Sequence, residues 1–115
     1  MQFYNILDER TIGEFDLIID YTYSWEHPYG VFPKENYDVD IILKKIDNRQ
    51  LEYFDLRVRA LFKGTEFSRE IIPNLLYKDA YDILKQEEME DVVDSVIYDA
   101  KEKIIKLKIL LDELK

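Results

Sequence analysis

The chain reads as an α+β fold of two layers, an antiparallel β-meander of about four strands packed on C-terminal helices. Three observations carry that expectation. Apolar residues alternate with a period of two through most of the chain up to Pro73. After Pro73 the period changes to three and four. Breakers are scarce and localised, with three Gly and three Pro in 115 residues. Strands repeat every two residues and helices near every 3.6, so the change of period marks the passage from sheet to helix. The expected division is a sheet over about 14–72 and helices over about 74–114, in one domain spanning 1–115. With 47% hydrophobic and 14% aromatic residues, such a chain can build its core without staples.

The first strand runs from Phe15 to Trp25, with Phe15, Leu17, Ile19, Tyr21, Tyr23 and Trp25 on one face. His27-Pro28-Tyr29-Gly30 and Pro33 then break it into a loop. The alternation resumes over Tyr37–Ile46, which predicts a second strand with Tyr37, Val39, Ile41 and Leu43 inward. Asp47-Asn48-Arg49-Gln50 is turn-like. Leu51–Phe62 is the third strand, with Phe54, Leu56, Val58, Ala60 and Phe62 inward. Setting Ile46 opposite Leu51 pairs Leu43 with Phe54, Ile41 with Leu56 and Val39 with Val58. The same register sets Asp40 opposite Arg57 and Asp38 opposite Arg59, and each such pair adds a few tenths to about 1 kcal/mol. Lys63–Glu66 is a second turn, and a shorter strand follows over Phe67–Ile72, ended by Pro73. If Phe62 faces Phe67, Val58 faces Ile71 and Arg59 faces Glu70.

Beyond Pro73 a short helix is expected within Asn74–Gln86, starting near Lys78, with Ala80, Tyr81 and Leu84 on one stripe. A long helix follows over Glu87–Leu114. Met89, Val93, Val96, Ala100, Ile104, Leu107, Leu111 and Leu114 form its seam at spacings of three and four. At 1.5 Å per residue it spans about 40 Å. Acids crowd its first half and lysines its second, which complements the helix dipole. The seam is expected to lie on the sheet. Ile105 and Ile109 point away from it and form a candidate homodimer face. The short helix or the N-terminal Phe3-Tyr4-Ile6-Leu7 segment could cover them instead.

Charge narrows the function classes. The chain carries 25 acids against 16 bases, a net charge of −9. Nucleic-acid binding rests on Lys and Arg neutralising phosphates, so direct binding to nucleic acid is not expected, nor is binding to an anionic membrane. Cysteine is absent, which removes disulfides, thiolate catalysis and cysteine metal sites. The first residues lack the basic and apolar regions of a secretory signal, and no apolar run approaches a membrane span. A reducing cytoplasm is the expected compartment, the host cell's if the gene is phage-borne.

No catalytic motif stands out, and no cofactor or metal is implied. His27, the only histidine, lies in a loop with no patterned serine or cysteine partner. Asp38 and Asp40, with Asp20 on a neighbouring strand, offer oxygen ligands of the kind Mg²⁺ takes, but the expected Arg57 and Arg59 partners would neutralise them. Glu87, Glu90, Asp91 and Asp94 recur at i, i+3, i+4 and i+7 and make one acidic stripe, extended by Tyr98. The stripe suits a helix N-terminus, yet like charges at i,i+4 cost stability. Trp25, His27, Tyr29 and Phe32 cluster in the loop and serve either as interface anchors or as a cover for the sheet.

A non-enzymatic binding protein follows, one whose acidic stripe and loop aromatics engage a protein with a basic surface. Small phage anti-defence proteins, including anti-CRISPR proteins, and toxin-immunity proteins resemble this profile of size and charge. That resemblance implies an inhibitor or antidote that occludes a basic, nucleic-acid-handling protein. The alternative is a structural or assembly subunit that oligomerises through the long helix.

Overall fold

Four antiparallel strands in chain order, β1 (Asn5–Ile12), β2 (Phe15–Tyr23), β3 (Glu52–Phe62) and β4 (Thr65–Tyr77), form one sheet in the computed structural model, which describes residues 3–114. Two helices accompany them, α1 (Val39–Asp47) between β2 and β3, and α2 (Glu87–Glu113) after β4. The α+β class and the meander are those the residue pattern predicts.

Alternation on β2 and β3 creates the core. Leu17, Ile19, Phe54, Leu56, Val58 and Ala60 are fully buried on one face of the sheet. Met89, Val93, Val96 and Ala100 of α2 close over that face. Each large aliphatic side chain so buried contributes about 1.5–3 kcal/mol. Phe15 and Phe62 extend the core, their ring centroids 5.9 Å apart.

The opposite face holds a charged centre. Asp20 is 2% exposed on β2. It accepts two hydrogen bonds from Arg57, at 2.8 and 2.7 Å, and one from Arg59 at 3.3 Å. The Arg57 guanidinium also lies 3.6 Å from the ring centre of Tyr4. Arg59 is shared with Glu66 at 3.6 Å, and its Nε finds no hydrogen-bond partner. Glu66 in turn binds Arg69 at 2.8 Å. This chain of charges lets Arg59 and Arg69 sit directly across the β3–β4 ladder, a juxtaposition that would otherwise destabilise it.

The expected hairpin between Tyr37–Ile46 and Leu51–Phe62 is not formed. The first of these segments is α1, and the partner of β3 is β2, with Ile19 opposite Val58, Tyr21 opposite Leu56 and Tyr23 opposite Phe54. Asp38 caps α1, its carboxylate accepting from the Ile41 N–H at 3.3 Å. Asp40 lies in the first turn and Lys44 and Lys45 in the last, as the helix dipole favours. Val39, Ile42, Leu43 and Ile46 also fit i, i+3, i+4, i+7, so this short segment satisfies both periods. Ile41, inward in a strand, is 50% exposed here. Arg57 and Arg59 are therefore neutralised by Asp20, not by Asp40 and Asp38.

The β3–β4 turn is shorter than expected. Phe62 faces Thr65 across a two-residue loop, Lys63-Gly64, with φ of 49° and 82°. Positive φ at both positions is the type I′ geometry, which Gly makes accessible. A bulge then shifts the register, so that Val58 faces Glu70 and Arg59 faces Arg69. β4 also continues through Pro73 to Tyr77, helped by a second irregularity at Asn74 with φ of 59°. Proline is tolerated there because β4 is an edge strand. The expected short helix reduces to a 3₁₀ turn over Ala80–Lys85. Ala80 and Ile83, one 3₁₀ turn apart, are buried, whereas Tyr81 is 53% exposed. β1 is a strand the alternation did not reveal. Its register slips between Ile6 and Asp8, which breaks the period of two and brings Leu7 into the core.

Removing Asp20 leaves two half-buried guanidinium groups without their shared carboxylate. Asp20→Ala is expected to cost about 3 kcal/mol in urea unfolding. Asp40→Ala, on an exposed turn of α1, is expected to shift the midpoint little, as surface changes do. Equal losses would show that Asp20 does not hold the sheet.

Candidate functional site

Two surfaces hold the side chains singled out by sequence, and the structure keeps them separate. One is α2. The other is the segment between β2 and β3, which folds as a small lobe around α1.

In the lobe, His27 caps a 3₁₀ turn over Pro28–Gly30, its Nδ1 accepting from the Tyr29 N–H at 3.3 Å. The imidazole stacks on the Tyr29 ring, centroids 5.3 Å apart and planes within 8°. The Tyr29 hydroxyl donates to Asp40, and the Lys34 ammonium lies 5.3 Å from the same ring centre. That hydrogen bond holds the phenolic proton and raises the Tyr29 pKa above its ordinary value. Phe32 points back into the fold, edge-on to Tyr37 at 5.4 Å and tilted against Tyr53 at 6.0 Å. It covers the buried Tyr53. Trp25 stays 75% exposed. The loop is therefore mixed: Phe32 is cover, while Trp25 is free to touch a partner. A surface groove of about 530 Å³ is lined by Tyr29, Lys34, Asp38 and Asp40. Of these, Tyr29 is engaged with Asp40 and Lys34, and Asp38 with the α1 cap. Among the described residues, no three side chains of the metal-binding types converge.

On α2, Glu87, Asp91, Asp94 and Tyr98 lie exposed along one face. Glu90 does not stand free, because Arg10 of β1 reaches it at 2.9 Å while binding Asp8 at 2.7 Å. Among the described residues Glu87, Asp91 and Asp94 have no ion-pair partner. The N-cap of α2, Gln86, makes no side-chain capping bond. The first-turn acids Glu87, Glu88 and Glu90 thus also answer the uncapped amide groups. No hydrogen bond, ion pair or ring contact joins the stripe to the lobe among the described residues.

The far end of α2 departs most from expectation. The seam is buried as far as Ala100 and half-buried at Ile104. Beyond that it leaves the core, with Leu107 44%, Leu111 53% and Leu114 83% exposed. Ile105 and Ile109, the expected dimer face, are 52% and 54% exposed, and so is Leu110 at 58%. All six aliphatic side chains lie outside the buried core cluster. Leu110 lies off the seam. The available signal was Ile109-Leu110-Leu111, three adjacent apolar residues, which no single helix face can bury. Phe3 and Tyr23, at 75% and 60%, add exposed aromatics that the strand pattern placed inward or left unassigned.

No family model, curated protein or solved structure matches the chain. No helix among the described residues is long and apolar enough to cross a membrane.

Burial raises the pKa of Tyr21 and Tyr53 above the ordinary tyrosine value, with Glu52 a further influence on Tyr21. The protonated phenol is the form favoured in the fold. Stability is therefore fully present below the unfolded tyrosine pKa of about 10 and is lost as pH rises through the higher folded values. Tyr21→Phe should flatten that alkaline decline, measured as urea midpoints against pH alongside tyrosinate absorbance. A decline as steep in the variant as in the parent would contradict the assignment.

Proposed function

We propose that this protein is a non-catalytic binding protein that acts by docking onto another protein chain through the last turns of α2. One observation carries this: six aliphatic side chains between Ile105 and Leu114, on the last turns of α2, are 44–83% exposed. A contiguous apolar surface of this kind marks an interaction site, and a helix presenting aliphatic stripes is a standard peptide-recognition mode. The working compartment proposed is the cytoplasm.

The test compares parent and Leu107→Glu/Leu111→Glu protein in a pull-down from the native host. Both positions are outside the core, so the thermal midpoint should hold while captured partner falls tenfold or more, as at an interface hot spot. Undiminished capture by the variant would remove the helix end as the docking element.

A second function, a small acidic inhibitor or antidote of the anti-CRISPR or immunity-protein type, is favoured by a different observation. Glu87, Asp91 and Asp94 stand exposed and unpaired on one face of α2, in a chain of net charge −9. Such a face would steer toward a basic surface, with Trp25 as a further anchor. Glu87→Lys/Asp91→Lys/Asp94→Lys should then slow association with a basic nuclease by an order of magnitude or so at low salt. A rate indifferent to both charge and ionic strength would eliminate it.

A further inference from the structure

β4 is an edge strand, and the part of it that stays regular lies beside an apolar crevice. Its inner side pairs with β3, and no strand lies on its outer side. The five residues 68–72 run in unbroken register against 56–60. Alternate residues of such a ladder turn their N–H and C=O groups outward. Among the described residues, no turn, loop or further strand takes those groups up. The stretch is bounded by the bulge beside Ala60 and by Pro73, which has no N–H to give. The other edge, β1, is guarded by Asp8, Glu9 and Arg10 in succession.

The crevice measures about 240 Å³ and is lined by Ile72, Leu75 and Tyr77 of β4 and by Met89 and Val92 of α2. β3 contributes nothing to its walls, so it opens at the margin of the sheet, next to the free edge. It is smaller than the roughly 300–1,000 Å³ pockets that hold drug-sized ligands, and it suits one apolar side chain. We infer that this edge takes up an extended segment of a partner chain, added antiparallel to 68–72 as a further strand. An added strand sets each of its residues opposite one of β4 and on the same face. Glu70 and Ile72 lie on the α2 side, opposite the buried Val58 and Leu56. The partner residue opposite Ile72 therefore fills the crevice and is apolar. Glu70 is exposed and has no ion-pair partner among the described residues, so a Lys or Arg answers it. Ile71, 48% exposed on the other face, takes a second apolar residue. In its own direction the partner segment reads apolar, apolar, basic.

This surface is separate from the last turns of α2, so the inference goes beyond the docking role proposed above and does not rest on it. The contact is short, and a free segment loses its own freedom on binding. The affinity expected of an isolated peptide is modest, with a Kd on the order of 100 μM.

The test titrates the full chain with a short capped peptide that carries leucine, valine and lysine in succession between threonines, followed by amide NMR. Amide signals should move over 68–72 and around the crevice and stay still over 104–114. Exchanging the leucine for alanine should weaken binding about tenfold. Glu70→Lys should weaken it roughly three- to tenfold. A peptide with glutamate in place of the lysine should bind that variant to within about twofold of the parent pair. N-methylation of one alternate set of peptide amides should abolish binding, and of the other set leave it, which docking of side chains alone would not produce. No movement over 68–72 at about 5 mM peptide overturns the inference, as does binding indifferent to N-methylation or to the leucine. Edge amides already protected without peptide, in a chain that sediments as a dimer, would put a second copy at the edge and overturn the partner segment.

Discussion

The Asp20 carboxylate is the constraint around which the sheet is arranged. It is almost wholly buried, on the face that α2 does not cover, and Arg57 binds it through two hydrogen bonds. A buried carboxylate without such partners would cost several kcal/mol. Only the register that sets Asp20 opposite Arg57 supplies them. That same register aligns Leu17, Ile19 and Tyr21 with Ala60, Val58 and Leu56. Slipping β2 by one residue would expose the apolar set and strand the charge together. The polar centre gives the central strands their specificity, and the apolar face beneath α2 gives them most of their stability.

Much of this was legible in the sequence, and the errors share a physical origin. β2, β3 and α2 were found because each carries one unambiguous period over nine or more residues. α1 departs from the expected strand because nine residues with apolar groups at five positions satisfy both periods. Its Asp38 cap and terminal lysines were the deciding local signals. The false hairpin had two apparent supports, apolar pairs on one face and Asp–Arg pairs on the other. The true pairing of β2 with β3 has both as well, across a connection of some thirty residues whose closure adds little entropy cost over a short turn. β1 and the β3–β4 register were obscured by bulges, each of which adds one residue and inverts the alternation beyond it.

The site was legible in part. The acids on α2 and the loop aromatics were located, but pattern alone could not show that Arg10 takes up Glu90 or that Phe32 turns inward onto Tyr53. Both depend on side chains distant in sequence. The two apolar faces near the end of α2 were also recognised. Missing was where the sheet stops supporting the helix. A seam read from sequence continues as long as its spacing does, whereas burial ends after Ala100 and Ile104. The helix is thereby divided. Its first half completes the core and carries the exposed acids, and its second half presents exposed aliphatic side chains.

That division is the central claim, and hydrogen–deuterium exchange along α2 in dilute protein tests it most directly. Amides up to Ala100 should be strongly protected, because opening them requires loss of the core. Amides over 104–114 should exchange rapidly, as an isolated helix end does. Protection over 104–114 that equals that of 89–100 would contradict it.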